Sequence, residues 1–175
     1  MKRIKWFSSI SLGSDAGLRP LILSVLFTVI ISASILAIMD INRPFMLALI
    51  IALGISSVLT LAGFTAIGSW ASLFASFITL SILIFKNNGI RDTAIMGLIV
   101  ILIGAGLLAG KTGTLIIGGF IILEISIYGA LETKGILVNK FSDQNYFEDY
   151  LVLCMIVAMI TALQWLVISR LKSIG

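Results

Sequence analysis

The sequence predicts an all-α integral membrane protein, a bundle of six transmembrane helices with both termini in the cytoplasm. Six apolar stretches fill most of the 175 residues, and the few charged residues lie between them. Hydrophobic residues make up 59% of the chain and charged residues only 11%, so a soluble domain would lack the polar groups to cover its surface. The runs are continuous, whereas β-barrel strands alternate, and helices satisfy every backbone polar group inside lipid.

Each predicted span approaches the length that crosses a hydrocarbon core of roughly 30 Å, which takes about 17 to 25 helical residues. In chain order the spans are Pro20–Met39, Phe45–Ala62, Trp70–Phe85, Ala94–Ala109, Thr114–Leu131 and Leu151–Ile168. Residues 1–175 are predicted as a single membrane domain. Its parts are a cytoplasmic segment at 1–19, the six-helix bundle at 20–168 and a cytoplasmic exit helix at 169–175.

Short connections between the spans predict antiparallel neighbours. Pro44 is placed at the start of span two, where its missing N–H costs nothing. Asn87–Gly89 and Gly110–Gly113 have the residue types of turns. The boundary between spans two and three contains no charge, and Gly63, Gly68 and Ser69 are its only breakers. The alternative there is one helix of about 40 residues, which would fit a bilayer badly.

Basic residues indicate the orientation. Of the 12 Lys and Arg residues, seven lie on the side of the N-terminus under this topology and five on the opposite side. The seven are Lys2, Arg3, Lys5, Arg19, Lys111, Arg170 and Lys172. Because cytoplasmic loops carry an excess of Lys and Arg, the chain is predicted to be N-in and C-in.

The longest polar connection runs from Glu132 to Tyr150 and mixes acidic, amide and aromatic residues. One interpretation is an aromatic belt at the membrane interface. The alternative is a short amphipathic helix that lies on the outer surface and caps a cavity between the helices.

Glu124 is the candidate functional residue, because it lies near the middle of span five, where an ionisable group is costly and normally faces the bundle interior. Gln164 and Tyr128 are the partners predicted to share a ligand-binding or helix-coupling role with it. Ser81, Thr79 and Ser126 are further candidates for a hydrogen bond. Two roles stay open: a structural hydrogen bond between helices, or a ligand or proton site.

Small residues concentrate in spans four and five, where close helix packing is expected. The predicted packing positions are Gly104, Gly106, Gly110, Gly113 and Gly118. The spacing Gly106-x-x-x-Gly110 suits packing inside the hairpin of these two spans, and a homodimer interface is the alternative.

The residue inventory predicts no enzyme. The chain has no His and a single Cys, Cys154, so catalytic triads, His-based metal sites and thiolate clusters cannot be assembled from it. No cofactor and no metal are expected. The net charge of +4 does not indicate nucleic acid, because no basic run is interleaved with aromatic residues.

Three segments resemble a known family. Asn88–Ala94 (NGIRDTA), Ile101–Gly113 (ILIGAGLLAGKTG) and Leu131–Leu137 (LETKGIL) are similar to the N-terminal six-span membrane region of bacterial sensor histidine kinases and related PAS- or GAF-containing signalling proteins. The resemblance covers roughly residues 70 to 137. The chain departs from the family pattern in the uncharged segment Gly63–Gly68, and it ends at Gly175 without an output module.

The resemblance implies a sensory input domain of a two-component signal-transduction system in the bacterial inner membrane. Its expected partners are the lipid bilayer and a cytoplasmic signalling module beyond residue 175. The alternative is an accessory structural subunit of a larger membrane complex, with other membrane subunits as partners. A small transporter or channel that uses Glu124 is a third hypothesis.

Overall fold

The structure is a computed structural model that describes residues 15–39, 42–86, 94–134 and 147–174. All regular secondary structure in these ranges is α-helical, with no strand, so the all-α prediction is confirmed for them. The helices are α1 (Asp15–Ile38), α2 (Arg43–Leu61), α3 (Thr65–Lys86), α4 (Ala94–Thr133) and α5 (Phe147–Ile174). The predictions for residues 1–14, for the turns at 40–41 and 87–93, and for most of the outer segment, 135–146, lie outside the described residues.

Four of the described helices are long and apolar enough to cross a membrane. They are Arg43–Leu61, Thr65–Lys86, Ile95–Thr133 and Asp149–Ile168, and a shorter apolar helix covers Ile22–Ile38. Large apolar side chains such as Phe27, Val58 and Met96 are about two-thirds exposed on these helices. Apolar exposure on every helix is expected for surfaces that face lipid tails instead of water.

Contacts divide the chain into two compact units. The first unit contains α1, α2 and the part of α3 up to Ser76, together with Leu108–Gly110, and the second contains Phe77–Leu107 and Lys111–Gly175. In the first unit α1 packs against α2. The buried residues of α1, which recur at intervals of four or seven positions along one face, are Ile22, Leu26, Ala33 and Ala37.

A break at Gly63 separates α2 from α3. The backbone N–H groups of Gly63 and Phe64 donate to the carbonyl oxygens of Thr60 and Leu59, which closes the end of α2, and Gly63 has φ 94°. The left-handed conformation suits glycine because it has no Cβ. One continuous helix across this boundary is therefore excluded. Gly68 and Ser69, which were expected in the turn, instead lie inside α3, so this span begins at Thr65 and not at Trp70.

Gly68 allows α3 to approach α2 closely. A Cβ built on Gly68 would meet the Thr60 hydroxyl and would lie 2.8 Å from the carbonyl oxygen of Ser56. Ser56 and Thr60 are fully buried, and each hydroxyl donates to a carbonyl oxygen one turn earlier in α2. The two helices thus contact each other through small residues, and the hydroxyl groups among them are hydrogen-bonded within their own helix.

Helix α4 reverses direction at Gly110. This residue has φ 63° and ψ −151°, which is not helical. A Cβ on Gly106 would lie 3.1 Å from the Thr114 hydroxyl, and a Cβ on Gly118 would lie 3.4 Å from Leu102. In a straight helix these pairs would be about 12 and 24 Å apart along the axis. The residues on either side of Gly110 therefore fold back on each other, at the position where the sequence predicts a turn.

Helix α5 packs against the second half of α4 in the opposite direction. A Cβ on Gly129 would meet the ring of Tyr150 at 3.0 Å, and a Cβ on Gly118 would meet the hydroxyl of Thr161 at 2.5 Å. Later residues of α5 therefore face earlier residues of α4. Helix α5 continues without interruption to Ile174.

Candidate functional site

Two helices of the second unit contribute matching sets of side chains to the candidate site. Helix α3 places Phe77, Ser81 and Phe85 on one face, because residues four apart lie one above the other on a helix. The second half of α4 does the same with a further set of three residues at the same spacing, Phe120, Glu124 and Tyr128. Each helix therefore presents a polar residue between two aromatic ones.

The two sets meet in register, in an arrangement of three layers that we call the aromatic–acid ladder. The first layer pairs the rings of Phe77 and Phe120, with centroids 6.0 Å apart. The middle layer pairs polar groups, with Ser81 Oγ donating to Glu124 Oε2 at 2.9 Å. The third layer pairs Phe85 with Tyr128, with centroids 6.1 Å apart. Because residue numbers increase together, these two segments run parallel.

Hydrogen bonds hold the middle layer in place. The Tyr128 hydroxyl donates to the backbone carbonyl oxygen of Ser81 at 2.9 Å. Ser81 Oγ also lies 2.8 Å from the carbonyl oxygen of Phe77, so its single hydrogen can be shared between that oxygen and Glu124. These contacts tie α3 and α4 together around the carboxyl group.

One oxygen of the carboxyl group has no partner. Glu124 Oε1 is buried and makes no hydrogen bond within the described residues. A buried polar atom that lacks a partner costs roughly 1–3 kcal/mol, and more if it is charged. An unpaired carboxyl oxygen is therefore the atom of this site with capacity for another group.

An open groove of about 290 Å³ lies along the ladder. Its walls are the six ladder residues with Leu123, Ile127 and Leu131. Phe85, Leu123 and Ile127 are about half exposed at its rim, so the groove opens on an apolar surface of the helices. The site is consequently apolar except for the Ser81, Glu124 and Tyr128 oxygens.

The structure brings together two of the three candidate residues. Tyr128 joins Glu124 in the ladder, and Ser81 is the member of the wider candidate set that donates to the carboxyl group. Ser126 does not, because its hydroxyl donates to the Ile122 carbonyl oxygen of its own helix at 2.8 Å. Gln164 lies elsewhere in this unit, with its carbonyl oxygen beside Gly106.

The glycines predicted for close packing fall into separate groups. Gly106 and Gly118 are contact positions, against Gln164 and Thr161 of α5 respectively. Gly110 forms the reversal of α4. Gly113 is buried. A Cβ on Gly104 would meet nothing within 4 Å, so this position is open in the described structure.

Lys111 links the reversal of α4 to α5. Its ammonium group lies 5.4 Å from the ring centroid of Trp165, within the range of a cation–π interaction. Gln164 is the neighbouring residue of α5, and its buried carbonyl oxygen has no hydrogen-bond partner within the described residues. The turn of the α4 hairpin thus contacts α5 at Trp165, next to Gln164.

The aromatic residues of the ladder were not identified from the sequence. The signal that could have revealed them is the pairing of two patterns, Phe-x₃-Ser-x₃-Phe in α3 and Phe-x₃-Glu-x₃-Tyr in α4. Each pattern alone is ordinary in an apolar helix. A site forms only because the two helices align with the polar residues opposite each other. Among the described residues no group of His, Cys, Asp and Glu could hold a metal ion.

Comparisons of the chain with protein-family models, characterised proteins and solved structures find no significant match. The described structure defines its class as an all-helical protein with apolar helices of membrane-spanning length.

Proposed function

We propose that this chain is a membrane-embedded sensory input domain of a signal-transduction protein, with no catalytic activity of its own. The observation that supports this proposal best is the close packing of α4 on α5, in which Gly118 and Gly129 lie against Thr161 and Tyr150. Helix α5 then continues to Ile174, toward the side where a cytoplasmic module would follow.

A signal requires two helix arrangements of similar energy that a stimulus binds or favours unequally. Contacts made through glycine suit such a change, because no large side chain locks the helices in one position along their common axis. The Lys111–Trp165 contact joins the reversal of α4 to the same helix. A shift of the α4 hairpin would therefore displace α5.

We also propose six spans with both termini on the cytoplasmic side. The reversal of α4 at Gly110 supports two spans in place of one helix of 40 residues, which would be about 60 Å long. The parallel ladder supports it as well, because spans three and five run in the same direction when each connection reverses the chain. The positive-inside bias of Lys and Arg provides the orientation.

Cysteine labelling tests this topology in a Cys154→Ser background. On intact cells, a membrane-impermeant maleimide is expected to label a Lys134→Cys variant but not a Thr112→Cys variant, and permeabilisation should expose the second. Both positions are exposed in the structure. If α4 crossed the bilayer once, residue 112 would lie in the hydrocarbon and stay unlabelled after permeabilisation. Labelling of both variants on intact cells would contradict the orientation.

A chimera tests the sensory role. A histidine kinase module is joined after Gly175, and its autophosphorylation is measured in vesicles of increasing acyl-chain length. We expect the output to change with chain length and a Gly118→Ala variant to change it at fixed length, because the added methyl group displaces α5. A Gly119→Ala variant is the matched control, since a Cβ there meets nothing within 4 Å. Output that is constant in all lipids and equal in both variants would reject the proposal.

An accessory subunit of a larger membrane complex is the second candidate. The observation that favours it is the low burial of α5, because only 11% of its most apolar segment is buried, against 44% for α4. Another membrane subunit could cover such a helix. Removal of the residues after Arg170 should abolish signalling by a sensor, whereas an accessory subunit should still co-purify with its complex.

A further inference from the structure

The groove along the ladder combines three properties that define the chemistry of a ligand. Its walls are apolar and aromatic, it opens at the half-exposed side chains of Phe85, Leu123 and Ile127, and it is lined by Glu124, whose carboxyl group has one buried, unpaired oxygen. We propose that this groove binds an uncharged, bilayer-dissolved ring compound that carries a hydroxyl group, of the phenol or quinol class. Its hydroxyl group pairs with Glu124 Oε1 once a rotation of the Glu124 side chain turns this buried oxygen toward the groove.

The depth of Glu124 favours a ligand from the hydrocarbon over a lipid headgroup. In the second half of α4, Glu124 lies 13 residues after Lys111 and eight before Glu132, or roughly 20 and 12 Å along the helix axis. Phospholipid headgroups remain in the interfacial region, outside the hydrocarbon core of about 30 Å. A ligand that enters sideways at this depth must cross acyl chains, where a net charge is costly, so it is uncharged.

The hydrogen-bonding state of the site favours a hydroxyl group over other polar groups. The hydroxyl hydrogens of Ser81 and Tyr128 already have acceptors, which leaves Glu124 Oε1 as the free position. An ionised carboxylate can only accept a hydrogen bond, whereas a protonated one can also donate. A hydroxyl group both donates and accepts, so it can satisfy this oxygen in either protonation state.

The aromatic layers favour a ring. Phe77 and Phe120 lie one helical turn on one side of the Ser81–Glu124 pair, and Phe85 and Tyr128 lie one turn on the other. Aromatic side chains bind planar rings by stacked or edge-to-face contact. The volume of about 290 Å³ is at the lower end for ligand sites, so it holds a small ring system while an alkyl tail extends through the opening into lipid.

Binding to the full chain in lipid nanodiscs tests the inference with three matched probes. They are 4-hexylphenol, which donates and accepts a hydrogen bond, 4-hexylanisole, which only accepts, and hexylbenzene, which does neither. Binding is measured by isothermal titration calorimetry, and the heat measured with empty nanodiscs is subtracted to remove the contribution of probe that partitions into lipid. We expect saturable binding of the phenol, at least about tenfold tighter than that of hexylbenzene, since a hydrogen bond to a carboxylate contributes roughly 1.5–3 kcal/mol. The anisole should bind as weakly as hexylbenzene if Glu124 is ionised and approach the phenol if Glu124 is protonated and donates to its oxygen.

Two variants and a control complete the test. Glu124→Leu should remove the preference for the phenol, and Ile127→Trp, which fills the rim of the groove, should weaken all three probes. Ser126→Ala removes a hydroxyl group from the same helix outside the groove and should bind like the parent. Equal affinity for the three probes would reveal a purely apolar groove and overturn the inference. Binding that is not saturable, or that Glu124→Leu and Ile127→Trp both leave unchanged, would overturn it too.

This inference goes beyond the proposed function, because its readout is binding alone. If the chain binds the phenol but the output of the kinase chimera stays constant, the ligand site is supported and the sensory role is rejected. If the chimera responds to bilayer thickness but binds no phenol, the sensory role is supported and the ligand site is rejected.

Discussion

Replacing Gly110 with alanine is expected to lower the free energy of unfolding by about 1–3 kcal/mol, the cost of a residue held in a sparsely populated region of backbone conformation. Gly110 has φ 63° and ψ −151°, a combination that glycine adopts because it has no Cβ. An alanine must either adopt that conformation under strain or move the reversal of α4 to another residue. Unfolding by SDS in mixed micelles measures the loss.

Gly104→Ala is the matched control for this experiment. Both glycines lie in α4, but Gly104 is helical and a Cβ there would meet nothing within 4 Å. Alanine is the better helix former by about 1 kcal/mol at such a position, so stability should stay the same or rise slightly. Equal losses in the two variants would mean that the backbone at residue 110 is not strained, and the reversal would need another explanation.

Replacing Gly68 with alanine is expected to destabilise the first unit strongly, by about 1–3 kcal/mol or more, as for overpacking of a tight core. A Cβ at this position would meet both the hydroxyl of Thr60 and the backbone oxygen of Ser56. A side chain could rotate away, but a helix backbone cannot, so α3 would have to move from α2. The same SDS titration measures this effect.

Gly54→Ala provides the comparison, since Gly54 lies in α2 and a Cβ there would meet nothing within 4 Å. A double variant, Gly68→Ala with Thr60→Ala, separates the two contacts. It should recover part of the loss, because the hydroxyl contact disappears and the backbone contact remains. Full stability of the single Gly68→Ala variant would show that the two helices do not approach as closely as described.

The reversal of α4 at Gly110 determines the direction of the helix segment that forms one side of the ladder. A hairpin at Gly110 lets the second half of α4 run parallel to α3, the direction in which Phe77 meets Phe120 and Phe85 meets Tyr128 on either side of the Ser81–Glu124 hydrogen bond. The strained glycine and the polar layer are therefore parts of one arrangement. A variant that loses the reversal is also expected to lose the ligand site, and the phenol titration can follow this directly.

Much of the fold could be predicted from the sequence, because membrane helices are long apolar runs bounded by charges and turn residues. The turn around Gly110 and the start of α2 at Arg43, with Pro44 in its first turn, follow from residue chemistry that acts locally. The start of α3 could not be read in the same way. Gly68 resembles a breaker in the sequence, but it is a helical residue whose small size is needed for contact with Thr60 in another helix.

The sequence by itself determined that the chain is apolar and helical, and that Glu124 is the unusual residue, because a carboxyl group inside a long apolar run is conspicuous before its neighbours in the fold are known. Tertiary structure decided which groups surround it. Ser81 donates to the Glu124 carboxyl group and Tyr128 donates to the backbone of Ser81, whereas Gln164 lies elsewhere, because α3 and α4 align their four-residue repeats in parallel. Contacts between residues about 43 positions apart depend on helix direction and register, which no local pattern encodes.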